Sequence, residues 1–147
     1  MINIGDYAPS FELKNQNGDL INSKKILDAG SKILLIIYPK DDTPGCTAQM
    51  CRVRDDYSLF RDLGVTVLGL NHDGEKSHLK FIEKYNFQFD ILIDTDRKLI
   101  NELGSTKLFF KNHVTQRSAI LIDSDGKIIY VHKGQQDNQE IINLLKS

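Results

Sequence analysis

The two cysteines of the chain, Cys46 and Cys51, lie within the run Tyr38-Pro39-Lys40-Asp41-Asp42-Thr43-Pro44-Gly45-Cys46-Thr47-Ala48-Gln49-Met50-Cys51. An apolar stretch, Ile33 to Tyr38, stops at Pro39, and a helix is expected to begin around Thr43-Pro44. Thr43 precedes a proline, which pushes its backbone out of the helical region and suits an N-cap. Pro44 fits the first helical position, where a missing N–H costs nothing. This register sets Cys46 in the first turn, among unpaired N–H groups at the positive end of the helix dipole, a setting that favours a thiolate. The chemistry on offer is that of a nucleophilic sulfur.

Free cysteines elsewhere are mostly small buried hydrophobes. A Thr-Pro-Gly loop is a poor way to build core, and a helix start after a strand is where α/β proteins keep their sites. Cys51 sits deeper in the same helix and fits the packing role better. On a regular helix, positions i and i+5 are about 8 to 9 Å apart at Cα, beyond the ~7 Å that a disulfide spans. If the two cysteines bridge, the first turns must unwind, and oxidation becomes a conformational switch. So short a loop removes little entropy from the unfolded chain, so a structural staple is not expected.

Pro39, Thr43 and Cys46 reproduce the Pro-x-x-x-Thr-x-x-Cys signature of peroxiredoxins, which the chain resembles. The fuller string Tyr-Pro-Lys-Asp-x-Thr-Pro-Gly-Cys-Thr, with Cys51 and Arg54-Asp55 after it, is similar to the bacterioferritin comigratory protein (PrxQ) branch. Similarity extends to Gly5-Asp6-x-Ala8-Pro9-x-Phe11, to Phe89-Asp90-Ile91-Leu92 through Leu103-Gly104, and to Gln116-Arg117-Ser118-Ala119-Ile120-Leu121-Ile122-Asp123. The resemblance implies a hydroperoxide reductase in which Cys46 is the peroxidatic nucleophile and Cys51 the resolving cysteine. It implies that Thr43 Oγ1 and the Cys46 N–H hold the peroxide, and that Arg117 stabilises the thiolate and polarises the O–O bond. Pro39 would screen the sulfur from water, Tyr38 would help form the pocket wall, and Gln49 would help hold the arginine. A sulfenic acid on Cys46 would condense with Cys51 to a disulfide, reduced in similar proteins by thioredoxin or sometimes glutaredoxin. Each helper also has a plainer reading: Thr43 as a cap, Pro39 as a strand terminator, Arg117 as one solvated cation among 19 Lys and Arg. Asn71, His72 and Asp73 are expected to border the site without acting in it.

With 147 residues, 40% hydrophobic and 27% charged, the chain reads as one compact domain spanning residues 1–147. A net charge of −1 and no long basic block speak against nucleic acid or an anionic membrane as partner. No segment approaches the roughly 20 apolar residues of a membrane span, and Met1 to Asp6 lacks the pattern of a signal peptide. A cytoplasmic, monomeric protein is expected, and two cysteines there read as redox or catalytic rather than as a disulfide framework.

The elements that must position this chemistry follow from pattern. Phe11 to Leu13 and Leu20 to Asn22 flank a turn signal, Asn15 to Gly18, and form an N-terminal hairpin. Ile33 to Tyr38 is a buried-type strand. Met50, Val53, Tyr57 and Phe60 mark one amphipathic helix running from the cysteine to Gly64. Strands are expected at Val65 to Leu70 and Phe89 to Ile93, and helices at Glu75 to Tyr85, Asp96 to Leu103 and Asn138 to Leu145. Ser118 to Ile122 and Lys127 to Val131 form a second hairpin. A β-α-β-α order followed by β-β-α gives a mixed central sheet flanked by helices, which resembles the thioredoxin fold.

Rival chemistries lack residues. A thioredoxin-type oxidoreductase needs Cys-x-x-Cys. Metal binding would draw on His72, His78, His113 and His132, which show no paired spacing, and an iron–sulfur site needs further cysteines. No cofactor or metal is expected. The alternative that stays open is a peroxide sensor or relay, in which the same oxidised cysteine signals to a protein partner.

Overall fold

The computed structural model describes residues 2–147. Its centre is a five-stranded sheet in the order β5-β4-β3-β8-β9. The strands are β3 (Lys32–Ile37), β4 (Val65–Asn71), β5 (Asp90–Ile93), β8 (Ser118–Ile122) and β9 (Ile128–Lys133). β3, β4 and β5 run parallel, whereas β8 is antiparallel to β3 and β9 antiparallel to β8. A central strand with helices on both faces is buried on both sides, and β3 meets that demand with five consecutive apolar residues, Ile33 to Ile37, all without solvent exposure. Their alternation divides the core. Leu34 and Ile36 join one cluster with Met50, Phe60, Phe81 and Ile141, while Ile33, Leu35 and Ile37 join another with Phe11, Leu99 and Ile120.

The first cluster lies under α2 (Pro44–Asp55), α3 (Tyr57–Asp62), α4 (Glu75–Tyr85) and α6 (Asn138–Lys146). The second lies under α1 (Ser23–Asp28) and α5 (Lys98–Glu102). The N-terminal hairpin is present as β1 (Glu12–Lys14) and β2 (Leu20–Asn22), its turn closed by Asn15 Oδ1 accepting from the N–H groups of Asn17 and Asp19. This mixed sheet with helical layers is the thioredoxin-like architecture expected from the sequence. Among the described residues, no helix is long and apolar enough to cross a membrane.

Four details depart from the sequence reading. The helix expected to run from Cys46 to Gly64 is broken at Asp56, where Asn138 Nδ2 donates to both Arg52 O and Asp56 Oδ2. α5 starts at Lys98 rather than Asp96. The buried Asp94 carboxylate accepts from the N–H groups of Leu99 and Ile100, and Arg97 turns into the left-handed region at φ +58° to allow it. α1 is short and its sequence carries no long apolar period. A further hairpin, β6 (Thr106–Phe109) and β7 (Asn112–Thr115), turns through Phe110 and Lys111 at φ +47° and +68°. Two positive φ values in a two-residue loop are the pattern filled by Asn-Gly in most hairpins, and each costs an L-residue roughly 1–2 kcal/mol, so no turn signal announced it.

One glycine brings the cysteine helix close to the sheet. A Cβ at Gly69 in β4 would lie 2.9 Å from Met50 Cε and 3.1 Å from Ile91 Cγ1. Met50 lies between the two cysteines on α2, so its seat on Gly69 sets the height of that helix. Gly69→Ala is expected to destabilise the protein by about 1–3 kcal/mol, the range for overpacking, as read by urea unfolding. Unchanged stability would show that Met50 is not seated as described.

Candidate active site

The strand–loop–helix junction that carries Cys46 sits at the carboxy-terminal end of β3. Thr43 is the N-cap in an extended conformation, φ −98° and ψ 153°, as its proline neighbour requires, and Pro44 opens the helix. The first bond of the helix runs from Thr47 N–H to Thr43 O, 2.8 Å, so the amides of Gly45 and Cys46 precede the helical ladder. The Thr43 side chain does not cap them. Its Oγ1 donates to Lys40 O at 3.0 Å, leaving the hydroxyl oxygen with its lone pairs free to accept.

Arg117 reaches this helix start from the opposite side. It immediately precedes β8, whose Ser118 pairs with Ile37 at the end of β3, so register alone delivers it to the same edge of the sheet. Its backbone is fixed by Gly134 N–H donating to Arg117 O at 2.7 Å. The guanidinium lies against Gly45, where a Cβ would come within 3.1 Å of Nη2. Nη1 donates to Cys46 Sγ at 3.3 Å and to Gln49 Oε1 at 2.8 Å. A fixed cation thus stands 3.3 Å from a sulfur that is only 1% exposed.

Gln49 is fully buried one turn along α2, and its Oε1 is the acceptor of that second Arg117 bond. Its Nε2 donates to Gln136 Oε1, and Gln136 Nε2 donates to Asn138 Oδ1, so a line of amides joins Arg117 to the first residue of α6. Cys51 lies on the same helix, partly exposed, and both cysteines are free thiols. Burial raises the Cys51 thiol above its ordinary range, with Arg54 pulling the other way and Asp55 adding to the rise.

Tyr38 and Pro39 enter the site differently from each other. Tyr38 is completely buried in the same cluster as Cys46, and its hydroxyl donates to Asp41 Oδ1 at 2.6 Å. Burial, and after it the Asp41 carboxylate, push that hydroxyl well above its usual ionisation range, so it remains a donor. Pro39 lies in the loop between β3 and α2, where it ends the strand. Asn71 and Asp73 do border this loop, bonded to Asp41, while His72 faces Arg97.

The sequence reading passed over the centre of this arrangement. The Asp41 side chain, 2% exposed, accepts from Tyr38 Oη, from Asn71 Nδ2 at 3.0 Å, from Ser77 Oγ at 2.7 Å and from His78 Nδ1 at 2.6 Å. His78 Nε2 faces Leu92 O at 3.2 Å. Both ring nitrogens therefore face acceptors, and Asp41 and His78 form a buried hydrogen-bonded pair. Burial alone would raise the Asp41 carboxyl, but the His78, Tyr38 and Ser77 bonds outweigh it and hold the group below its ordinary range. Asp42, at φ +56°, bonds Lys84 and Tyr85, so two successive aspartates strap the loop to α4. A signal for His78 did exist: it shares the apolar face of α4 with Phe81, Ile82 and Tyr85, where a histidine needs a buried partner.

Comparison with known proteins places this geometry. The AhpC/TSA family model matches residues 4–131. Peroxiredoxin Bcp of Bacillus subtilis is 39% identical over 133 residues, covering 87% of this chain and 83% of that protein. Peroxiredoxin Bcp of Escherichia coli is 35% identical over 149 residues, covering 97% and 94%. Among solved structures, a PrxQ mutant of Xylella fastidiosa superposes with a TM-score of 0.90 at 26% identity, covering 99% of this chain and 96% of that one. The chain belongs to the AhpC/TSA family and is a peroxiredoxin, hence a peroxidase. Within that family it stands with the Bcp/PrxQ proteins.

The Asp41–His78 pair generates a test with a defined sign. Because the folded-state carboxyl lies below its unfolded value, Asp41 contributes its full stability above about pH 4 and loses it as pH falls through the lowered value. Asp41→Asn should cost about 3–5 kcal/mol at neutral pH, the scale for leaving one member of a buried pair alone. In urea unfolding, the gap between parent and variant should narrow well below pH 4. A pH-independent gap would show that these bonds do not hold Asp41 ionised.

Proposed function

We propose that this enzyme reduces hydrogen peroxide and organic hydroperoxides through a disulfide formed within the chain, with Cys46 as peroxidatic and Cys51 as resolving cysteine. The observation that carries the reading is Arg117 Nη1, 3.3 Å from Cys46 Sγ at the start of α2. In the first step the Cys46 thiolate attacks the outer peroxide oxygen. An S–O bond forms, the O–O bond breaks, and the electron pair leaves with the alkoxide or hydroxide, which takes a proton. Arg117, the Cys46 amide and Thr43 Oγ1 face the oxygens on which charge develops. Pro39 and the buried Tyr38 keep bulk water from the sulfur.

The product is a sulfenic acid. Cys51 then attacks it, forming the S–S bond and expelling the oxygen as water. Burial raises the Cys51 thiol, while Cys46 Sγ accepts a hydrogen bond from Arg117, which supports this order. The bridge exceeds the reach of a disulfide on an intact helix, so the start of α2 unwinds as it forms. A protein dithiol, thioredoxin or glutaredoxin, returns two electrons and restores both thiols. The cycle needs one chain only, which supports action as a monomer.

Cys46→Ser should abolish peroxide turnover, because a hydroxyl is not ionised near neutral pH. One equivalent of peroxide should give the parent an intramolecular Cys46–Cys51 disulfide by peptide mass mapping, and Cys51→Ser a persistent sulfenic acid. Turnover by the serine variant would refute the nucleophile, and bridges only between chains would refute the resolving role.

A further inference from the structure

The β6–β7 hairpin ends in an apolar tip that the fold does not use. Leu108, Phe109 and Phe110 are 66%, 57% and 85% exposed, and the two phenylalanine rings meet edge to face at a centroid distance of 4.5 Å. Phe110 is held at φ +47° and Lys111 at φ +68°, conformations that bulky L-residues avoid and that asparagine and glycine adopt readily. A strained, solvent-exposed aromatic pair that joins neither core cluster indicates a function outside the chain.

The position of the tip narrows its partner. The hairpin rises from the active-site edge of the sheet: Thr115 ends β7 and Arg117 follows two residues later. At about 3.3 Å per residue, Phe110 lies within roughly 23 Å of the Arg117 backbone. A domain of ~100 residues is roughly 30 Å across, so a small protein that touches the Cys46–Cys51 disulfide is large enough to span to the tip. The hairpin carries Lys107 and Lys111 and no acidic residue. Symmetric pairing of two copies would gather like charges without compensation. Two lysines also fall short of the four to eight cations of a typical anionic-membrane anchor.

We propose that the tip formed by Leu108, Phe109 and Phe110 docks the protein dithiol that reduces the oxidised enzyme, a partner with an apolar rim beside its thiols and acidic side chains opposite Lys107 and Lys111. The inference rests on the disulfide cycle proposed above. In the step served, a partner thiolate attacks one sulfur of the Cys46–Cys51 bond and the other leaves as a thiolate. The second partner thiol then displaces the first cysteine, and the partner departs as a disulfide carrying the two-electron oxidation. The hairpin holds the partner in register during the mixed-disulfide stage and takes no part in reaction with peroxide.

Two variants separate docking from folding. Phe109→Ser/Phe110→Ser removes the apolar tip, and Phe110→Asn/Lys111→Gly installs an unstrained turn. Steady-state assays would use thioredoxin, its reductase and NADPH, with dithiothreitol as the small-dithiol control. Both variants should raise KM for thioredoxin at least tenfold, leave dithiothreitol-driven turnover and single-turnover reaction with hydrogen peroxide within twofold of the parent, and the Asn-Gly variant should melt no lower than the parent. An unchanged KM for thioredoxin would overturn the proposal. So would equal losses with dithiothreitol, or loss instead of self-association or of binding to phosphatidylglycerol vesicles. Failure of the single-turnover step in the parent itself would refute the peroxidase cycle rather than the docking surface.

Discussion

A guanidinium nitrogen 3.3 Å from a buried sulfur is a demanding contact to build, and much of this fold is arranged around it. The two groups are far apart in sequence and arrive on different strands. β3 delivers Cys46 through the loop at its end, and β8, antiparallel beside it, delivers Arg117 to the same edge. Gly45 leaves room for the guanidinium, Gln49 takes its second hydrogen bond, and Gly134 fixes its backbone. In the proposed reaction a cation held in this way stabilises charge without reorganising, which is the form of electrostatic help that matters most in a water-poor site.

The proposed cycle requires the same helix to be firm at rest and able to open. Its inner face is packed, with Met50 seated on Gly69 and Val53 in the core. Its first turn is held differently, by the loop that Asp41 and Asp42 strap to α4 and by the single arginine contact. In the proposed cycle, oxidation of Cys46 changes the group that this arginine contacts at the step where the first turn unwinds. The straps on Asp41 are untouched by the chemistry, so the loop bearing Pro39 and Thr43 can keep its place while the helix start moves.

How much of this could be read from the chain depended on whether the signal was local. Thr43-Pro44-Gly45-Cys46 spells a helix start in adjacent residues, and the β3 run and the apolar stripes of α2 and α4 fixed the central elements. Arg117 was found by resemblance, because nothing local distinguishes a solvated arginine from one aimed across the sheet. The Asp41–His78 pair escaped because 37 residues separate its members and each alone reads as an ordinary polar residue. The β6–β7 hairpin escaped for the opposite reason: its turn residues, Phe110 and Lys111, contradict the local rule. The break at Asp56 is imposed by Asn138 from the far end of the chain.

The account turns on whether Arg117 activates Cys46 rather than merely lying near it. The most direct measurement is the second-order rate of single-turnover reaction with hydrogen peroxide for the parent and for Arg117→Ala, with thermal unfolding as a control. Loss of a preorganised donor predicts a fall of about 10²- to 10³-fold with the fold retained. A variant that folds and reacts at the parental rate would contradict the central claim.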